Sequence, residues 1–151
     1  MKVNAMFFSF WLTSLVFAGG PGPVSQSFFT GVAIGGQDTV AYHLNKTDES
    51  SKGGKDFQVE WNGAKWRFAD QASMERFAAD PEKYAPEFNG HCANALSLGE
   101  GLVKTDGTVW QFFDDKLYLF YAEKGLERWQ SGDFKQYRTA AEKAWLVLSA
   151  P

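Results

Sequence analysis

Residues 57–68 have the sequence FQVEWNGAKWRF, and this stretch decides how the first half of the chain folds. Apolar and polar residues alternate on both sides of Asn62-Gly63, a dipeptide that favours a two-residue turn because both positions accept positive φ. We therefore predict an antiparallel β-hairpin, since complementary side chains then meet on both faces. The register pairs Phe57 with Phe68, Val59 with Trp66 and Trp61 with Ala64 on one face, and Glu60 with Lys65 and Gln58 with Arg67 on the other.

A second antiparallel pair is predicted at residues 109–113 and 116–121, with a turn at Asp114-Asp115. Its register places Trp110 opposite Leu119 and Phe112 opposite Leu117. The remaining elements are a strand or extended segment at residues 39–43, a helix capped by Asp70 and ended by Asp80-Pro81, a helical turn at residues 82–84, a short helix within residues 89–99, a short helix around residues 126–130 and a longer helix after Asp133.

The predicted C-terminal helix has one apolar face, formed by Phe134, Tyr137, Ala141, Ala144, Trp145 and Leu148 at helical spacing. The order of strands and helices lacks a regular βαβ rhythm. We therefore predict a small single α+β domain, with two antiparallel β-hairpins packed against several short helices and a C-terminal helix.

The composition narrows the classes of partner. The chain has 151 residues, 17% of them aromatic, with a formal net charge of −3 at pH 7 and a sequence pI of about 5.4. This acidic balance argues against nucleic acid, and against an anionic membrane surface, as partners of the whole chain. The aromatic residues lie mainly on predicted hairpin and helix faces, so we interpret them as core rather than as a surface that stacks ring-shaped ligands.

The N-terminus has the pattern of a secretory signal peptide. Lys2 is followed by an apolar run at residues 5–18, which is shorter than the ~20 residues that span a bilayer. We predict a signal peptide at residues 1–18, a flexible leader at residues 19–27 and the folded domain at residues 28–149. The mature protein is then exported, periplasmic or secreted, with no stable membrane span; an uncleaved anchor or a buried helix is the alternative.

The residues able to bind a soft metal ion are few: one cysteine, Cys92, and two histidines, His43 and His91. A thiolate with one or two imidazoles suits copper or zinc, whereas a closed structural zinc site needs four ligands. We therefore predict an open metal site made by Cys92, His91 and His43 and completed by solvent, Asp38 or a tyrosine. The alternative is that Cys92 packs as a small buried hydrophobic residue and His91 makes a hydrogen bond.

Cys92 also has a catalytic interpretation. A cysteine in the first turn of a helix is favoured as thiolate by the positive end of the helix dipole, and a nearby His91 or His43 would act as its base. The sequence places no further residue to orient that base. Catalysis by the thiol is therefore the third hypothesis, after metal binding and after an interaction domain without metal.

Four blocks of the sequence resemble the long, secreted form of the YHS-domain family. They are GGQDTVAY at residues 35–42, WNGAKWRFA at residues 61–69, FAADPEKYAP at residues 77–86 and GHCA at residues 90–93, and DKLYLFY at residues 115–121 fits the same family. The resemblance extends from about Gly31 to Tyr137. It implies an α+β domain, and its shorter relatives are linked to metal handling beside copper and mercury transport proteins.

The chain departs from the short, metal-linked relatives at the positions of their cysteines, which are Ala41, Ala69 and Ser73 here. A cysteine cluster carried over from those relatives is therefore absent. Our hypothesis is an exported small binding module for a metal ion of the copper or zinc type, or for a metal-bearing small ligand. A structural or protein-interaction domain without metal is the alternative.

Overall fold

The computed structural model describes residues 22–47 and 49–151, and within them it confirms the α+β class. The helices are α1 (Thr39–Asn45), α2 (Gln71–Ala79), α3 (Pro81–Tyr84), α4 (Ala93–Ser97), α5 (Glu123–Ser131) and α6 (Phe134–Leu148), and 3-10 turns lie at Ile34–Gly36 and Glu87–Gly90. The strands are β1 (Gly54–Trp61), β2 (Ala64–Phe68), β3 (Val109–Phe113) and β4 (Lys116–Phe120), and they form two separate two-stranded antiparallel sheets. In the described residues, no helix is long and apolar enough to cross a membrane.

The first hairpin has the predicted turn and most of the predicted register. Asn62 and Gly63 both adopt positive φ, and Val59 lies opposite Trp66 as expected. The predicted pairing of Phe57 with Phe68 is wrong, because Phe68 pairs with Gly54. An irregularity between Gly54 and Gln58 inserts extra residues into β1, as β-bulges do, and it shifts the register there.

The second hairpin has the predicted register, with Trp110 opposite Leu119 and Phe112 opposite Leu117. Its strand β4 is buried along Leu117–Phe120, so both of its faces are covered. Successive side chains of a strand point to opposite faces. The strand β4 therefore contributes to two different hydrophobic clusters.

We call these clusters the first core and the second core. Both contain aromatic residues from a hairpin and from the helices that cover it. The first core consists of Val24, Ala33, Ile34, Val40, Tyr42, Ala64, Trp66, Phe68, Phe77, Tyr84, Trp110, Leu117 and Leu119. The second core consists of Phe88, Ala93, Leu96, Phe113, Tyr118, Phe120, Leu126, Trp129 and Ala141.

Residues 39–43 form part of helix α1, so the prediction of a strand or an extended segment there is wrong. The side chain of Asp38 caps this helix by accepting a hydrogen bond from the backbone N–H of Ala41 at 2.9 Å. The same carboxylate accepts from the N–H of Ala69, also at 2.9 Å, and is fully buried. Two backbone donors thus hold Asp38 and favour the helix over the extended form that β-branched Thr39 and Val40 prefer.

The other helix predictions are close to the structure. The side chains of Asp70 and Asp133 cap α2 and α6 as expected, by accepting from the backbone N–H of Ser73 and Gln136. Helix α4 starts only at Ala93, and α5 is longer than predicted. On α6 the predicted apolar face is correct except for its last member, because Leu148 is 41% exposed at the end of the helix.

The packed chain starts before the predicted domain start at Phe28. Val24 and Ser25 are buried, and the N–H of Ser25 donates to the carbonyl of Asn89 at 3.0 Å. The described part of the predicted leader is therefore held against the domain. The predicted signal peptide at residues 1–18 lies outside the described residues.

Candidate functional site

Cys92 lies at the start of α4, where its sulfur acts as the helix cap. Its Sγ accepts a hydrogen bond from the N–H of Ala95 at 3.5 Å and another from the N–H of Tyr121 at 3.2 Å. The backbone N–H of Cys92 donates to the carbonyl of Val103 at 2.8 Å. The side chain is only 4% exposed. Through its sulfur and its backbone N–H, Cys92 therefore joins three segments of the chain: the start of α4, the loop before β3 and the residue after β4.

A cavity of about 350 Å³ opens beside this sulfur. Small and aliphatic side chains form much of its wall, with a few charged groups among them. The lining residues are Cys92, Asn94, Ala95, Leu98, Glu100, Val103, Tyr121, Ala122, Lys124, Gly125 and Arg128. A mostly apolar concave site with few polar groups is the usual form of a small-molecule site.

Arg128 is the most strongly held charged group of this wall. Its guanidinium lies over the ring of Tyr137, 3.7 Å from the centroid. Its Nη1 donates to Asn94 Oδ1 at 2.8 Å and to Ser97 Oγ at 3.0 Å. These contacts fix the planar group, and among the described residues only Nη1 of its three nitrogens donates a hydrogen bond. The remaining N–H donors suit a carboxylate or phosphate oxygen.

His91 is next to Cys92 in the chain but is not part of the cavity wall. It is 3% exposed, and its Nδ1 donates to the carbonyl of Phe88 at 3.0 Å. Its ring lies 5.8 Å from that of Trp145. Burial holds the pKa of His91 below its usual range. The backbone turn between the two residues thus directs His91 to the aromatic side and Cys92 to the cavity.

His43 lies on α1, in different surroundings. Its ring contacts those of Tyr84 and Phe112 edge to face, at centroid distances of 5.3 and 4.9 Å. Its Nε2 is buried and has no hydrogen-bond partner among the described residues. Burial, together with the smaller effect of the positive charges of Lys46 and Lys83, lowers the pKa of His43 to about 4.

The structure therefore does not gather the three predicted metal ligands. His43 lies between aromatic rings of α3 and β3, His91 contacts Trp145, and Cys92 faces the cavity. Asp38, considered as a further ligand, is used by two backbone donors. Across residues 22–47 and 49–151, no group of three or more His, Cys, Asp and Glu side chains could hold a metal ion. Metal binding stays a prediction.

The sequence did not indicate Arg128, Asn94 or Tyr137 as site residues. These residues lie on α5, α4 and α6, and only the tertiary fold brings them together. The one local signal is that Arg128 belongs to the last turn of α5, a position that favours a cation. That position alone says nothing about a ligand.

A second concavity, of about 480 Å³, is lined in part by residues of β1 and β2 and is rich in cations. Lys55, Arg67 and Lys104 line it together with one carboxylate, that of Asp106. We call it the basic cleft. Oδ1 of Asp106 already accepts from the N–H and the hydroxyl of Thr108, at 3.0 and 2.6 Å. The net charge of the whole chain is negative and therefore gave no indication of this local excess of positive charge.

The chain was also compared with known proteins. It matches no protein-family model, and neither the curated proteins nor the solved structures contain a match to it. The resemblance to the YHS family is therefore neither confirmed nor contradicted.

Proposed function

We propose that the protein is an exported binding module that holds a small, largely apolar molecule with an acidic group in the cavity beside Cys92. The observation that carries this proposal is the Arg128 guanidinium, fixed over Tyr137 and bonded to Asn94 and Ser97 in the wall of a cavity of about 350 Å³. A cation held in place before binding loses little freedom when a ligand arrives. The apolar N-terminal run supports export, and the YHS-like blocks support membership of that family.

The rest of the wall indicates the ligand's shape and polarity. Ala95, Leu98, Val103 and Ala122 offer apolar contact, while Lys124 adds a second positive charge near Arg128. A carboxylate would pair with the guanidinium, and its carbon chain would displace water from the aliphatic side. Glu100, in the same wall, disfavours a ligand with several negative charges.

Cys92 contributes its sulfur to the wall in this proposal and does not act as a nucleophile. Within the described residues, neither histidine lines the cavity, so the thiol has no imidazole base beside it. Both hydrogen bonds to the sulfur come from backbone donors that also hold α4 and the end of β4. Thiol catalysis therefore receives no support from this geometry.

The test compares straight-chain carboxylates of medium length with the matching alcohols. Binding is measured by NMR, through shifts of the methyl groups of Leu98 and Val103, which lie in the cavity wall. We expect the carboxylates to shift these methyl groups, and Arg128→Gln to weaken binding about tenfold, because a charge-assisted pair is lost. Equal affinity for the alcohols would contradict the proposed role of the cation.

Arg138→Gln is the matched control, since Arg138 pairs with the exposed Asp114 at 3.0 Å, outside the cavity wall. This variant should bind the carboxylates as the wild type does. Lys124→Gln serves as a second site variant that disturbs no described contact of Arg128. If Arg128→Gln and Arg138→Gln weaken binding equally, the effect is one of net charge and the assigned site is wrong.

Metal binding remains a second proposal, favoured by a thiol sulfur in a cavity wall and by His43 Nε2, which is buried without a hydrogen-bond partner among the described residues. Copper and zinc content of protein isolated from its export compartment tests it directly. We expect a metal-binding form to lose its metal in Cys92→Ser. Equal metal content in Cys92→Ser and the wild type would exclude the thiol as a ligand.

A further inference from the structure

Two adjacent phenylalanines project from the domain without any role in its cores. Phe28 is 87% exposed and Phe29 is 93% exposed. Their rings meet edge to face at a centroid distance of 5.4 Å, so they touch each other and little else. Single exposed apolar side chains are common on proteins, whereas a protruding aromatic pair marks an interaction surface.

The loop that carries the pair is tightly closed. The N–H of Ser27 donates to the carbonyl of Val32 at 2.9 Å, and the N–H of Gly31 donates back to the carbonyl of Ser27 at 2.9 Å. The hydroxyls of Ser27 and Thr30 accept two further N–H groups at 3.3 Å. These hydrogen bonds hold the backbone that carries both rings, so the loop need not become ordered on binding.

The base of this loop is joined to the basic cleft. Val32 pairs with Lys65 of β2, and the N–H of Lys65 donates to the carbonyl of Gly31 at 2.8 Å. Ser27 and Thr30, which flank the two rings, line the basic cleft with Lys55, Arg67 and Lys104. Within the described residues, neither Lys55 nor Lys104 forms an ion pair. The loop with the protruding rings thus borders a cleft in which two lysines have no ion-pair partner among the described residues.

We propose that this surface docks on an anionic lipid membrane, with Phe28 and Phe29 inserted between the headgroups and Lys55, Arg67 and Lys104 against the phosphates. Aromatic side chains favour the boundary between headgroups and acyl chains, and basic side chains near an anionic surface each add to the attraction. The surface shares no lining residue with the Cys92 cavity and is independent of the function proposed for that cavity.

Charge and shape together favour a membrane over an acidic protein. The domain as a whole is acidic, so the cations of the cleft are a local excess and not a reflection of composition. The rings stand out from a convex loop, and a lipid surface accepts such a projection without needing a matching groove. An acidic protein would satisfy the cations but would need a pocket for both rings.

The test measures binding of the exported form of the protein to vesicles of phosphatidylcholine alone and of phosphatidylcholine mixed with phosphatidylglycerol. We expect binding to the mixed vesicles only, and less of it at high salt. Phe28→Ser combined with Phe29→Ser should weaken it by about tenfold or more, because two apolar insertions are lost. Lys55→Gln combined with Lys104→Gln should weaken it by about tenfold.

Matched controls come from exposed residues elsewhere. Leu146→Ser with Val147→Ser removes two apolar side chains, 73% and 76% exposed, from the end of α6, and Lys135→Gln with Lys143→Gln removes two charges from the same helix. Both controls should bind as the wild type does. Paramagnetic lipid should also broaden the amide NMR signals of residues 27–31, which reports contact of this loop itself and does not depend on the N-terminus.

Three outcomes would overturn the proposal. One is equal binding to neutral and anionic vesicles, and another is undiminished binding of the double phenylalanine variant. The third is an acidic polypeptide such as poly-glutamate that binds the surface while the anionic vesicles do not, which would assign the face to a protein partner.

Discussion

The two hairpins have the same kind of turn and opposite surroundings. Both turns consist of two residues with positive φ, Asn62-Gly63 in the first hairpin and Asp114-Asp115 in the second. In β2 of the first hairpin, buried residues alternate with half-exposed ones, so one face remains in contact with solvent. In β4 of the second hairpin, four consecutive residues are buried, and the strand lies between the first and the second core.

This difference shows that a local turn signal fixes the pairing of a hairpin and leaves its burial undetermined. The apolar residues of β2 alternate with polar ones, so packing against one of its faces is enough to bury them. The continuous apolar run of β4 has to be buried on both faces, and helices α5 and α6 cover the face that belongs to the second core. The first hairpin is thus covered on one face, whereas the second lies between the two cores and is covered on both faces.

The largest expected effect comes from substituting neighbouring residues of one strand, which tests whether both faces of β4 are buried. Leu119→Ala removes a side chain from the first core and Phe120→Ala removes one from the second, and each should lower the free energy of unfolding by about 3 kcal/mol. On β2, Trp66→Ala should cost about 4 kcal/mol, whereas its neighbour Lys65→Ala should change the value by less than about 0.5 kcal/mol. Urea unfolding of the four variants measures these differences. A small cost for either β4 variant would show that the strand has only one buried face.

The next effect concerns the attachment of α1 to the first hairpin. Asp38→Ala removes the acceptor of two partly buried hydrogen bonds, from the backbone N–H groups of Ala41 and Ala69, and leaves both donors without this partner. We expect a loss of about 3 kcal/mol. Asp70→Ala, which removes an ordinary cap with one acceptor bond, should cost about 1 kcal/mol. Thermal unfolding distinguishes the two, and equal losses would mean that the bond to Ala69 contributes nothing.

A smaller effect is the separate contribution of each histidine to the pH dependence of stability. The pKa of His43 is about 4 in the folded protein and near 6.5 when unfolded, so the unfolded chain binds more protons between these values. Stability is therefore complete above about pH 6.5 and falls as the pH falls towards about 4. Because His43 is partly exposed, we expect the loss attributable to it to be about 2 kcal/mol.

The variant His43→Phe should remove this part of the acid sensitivity, while the part due to His91, whose pKa is also lowered by burial, remains. The measurement is urea unfolding of both proteins across the same pH range. The raised pKa of Glu87 acts in the opposite direction in both proteins, so it cancels in the comparison. An identical pH dependence of wild type and variant would contradict the burial of the imidazole.

The smallest effect compares the two turns. Asp115 adopts a φ of 61°, which glycine accepts more readily than aspartate. Asp115→Gly should therefore stabilise the protein by about 0.5–1 kcal/mol, since the ion pair it removes, with Lys46 at 3.6 Å, is exposed and weak. Gly63→Ala should destabilise it by about 1 kcal/mol, because its φ of 73° is in the same region. Calorimetric melting temperatures of both variants measure the contrast.

Local patterns accounted for most of the fold. The positive-φ turns, four of the five predicted pairs in the first hairpin and the aspartate caps of α2 and α6 each depend on residues close together in the chain. Helix α1 was missed because Thr39 and Val40 favour extended backbone, and the bond from Ala69 to Asp38 that opposes them comes from 31 residues away.

The candidate site was much less predictable. Cys92 was found because it is the single cysteine, and its place at a helix start was nearly correct. Its separation from His91 depends on the backbone turn before α4, and its distance in the fold from His43 depends on how the cores pack. Arg128 and the basic cleft are assembled from distant segments, so neither composition nor spacing indicated them.

The position of β4 between two cores has a consequence for how the protein opens. Amides of a strand at the edge of a domain exchange hydrogen through local fluctuations, whereas β4 is released only when both of its neighbouring cores come apart. Its amides, and the N–H of Tyr121 bonded to the Cys92 sulfur, should therefore exchange only through global unfolding. The strand makes the two cores one cooperative unit, and it places the sulfur of the cavity wall in the most slowly opening part of the molecule.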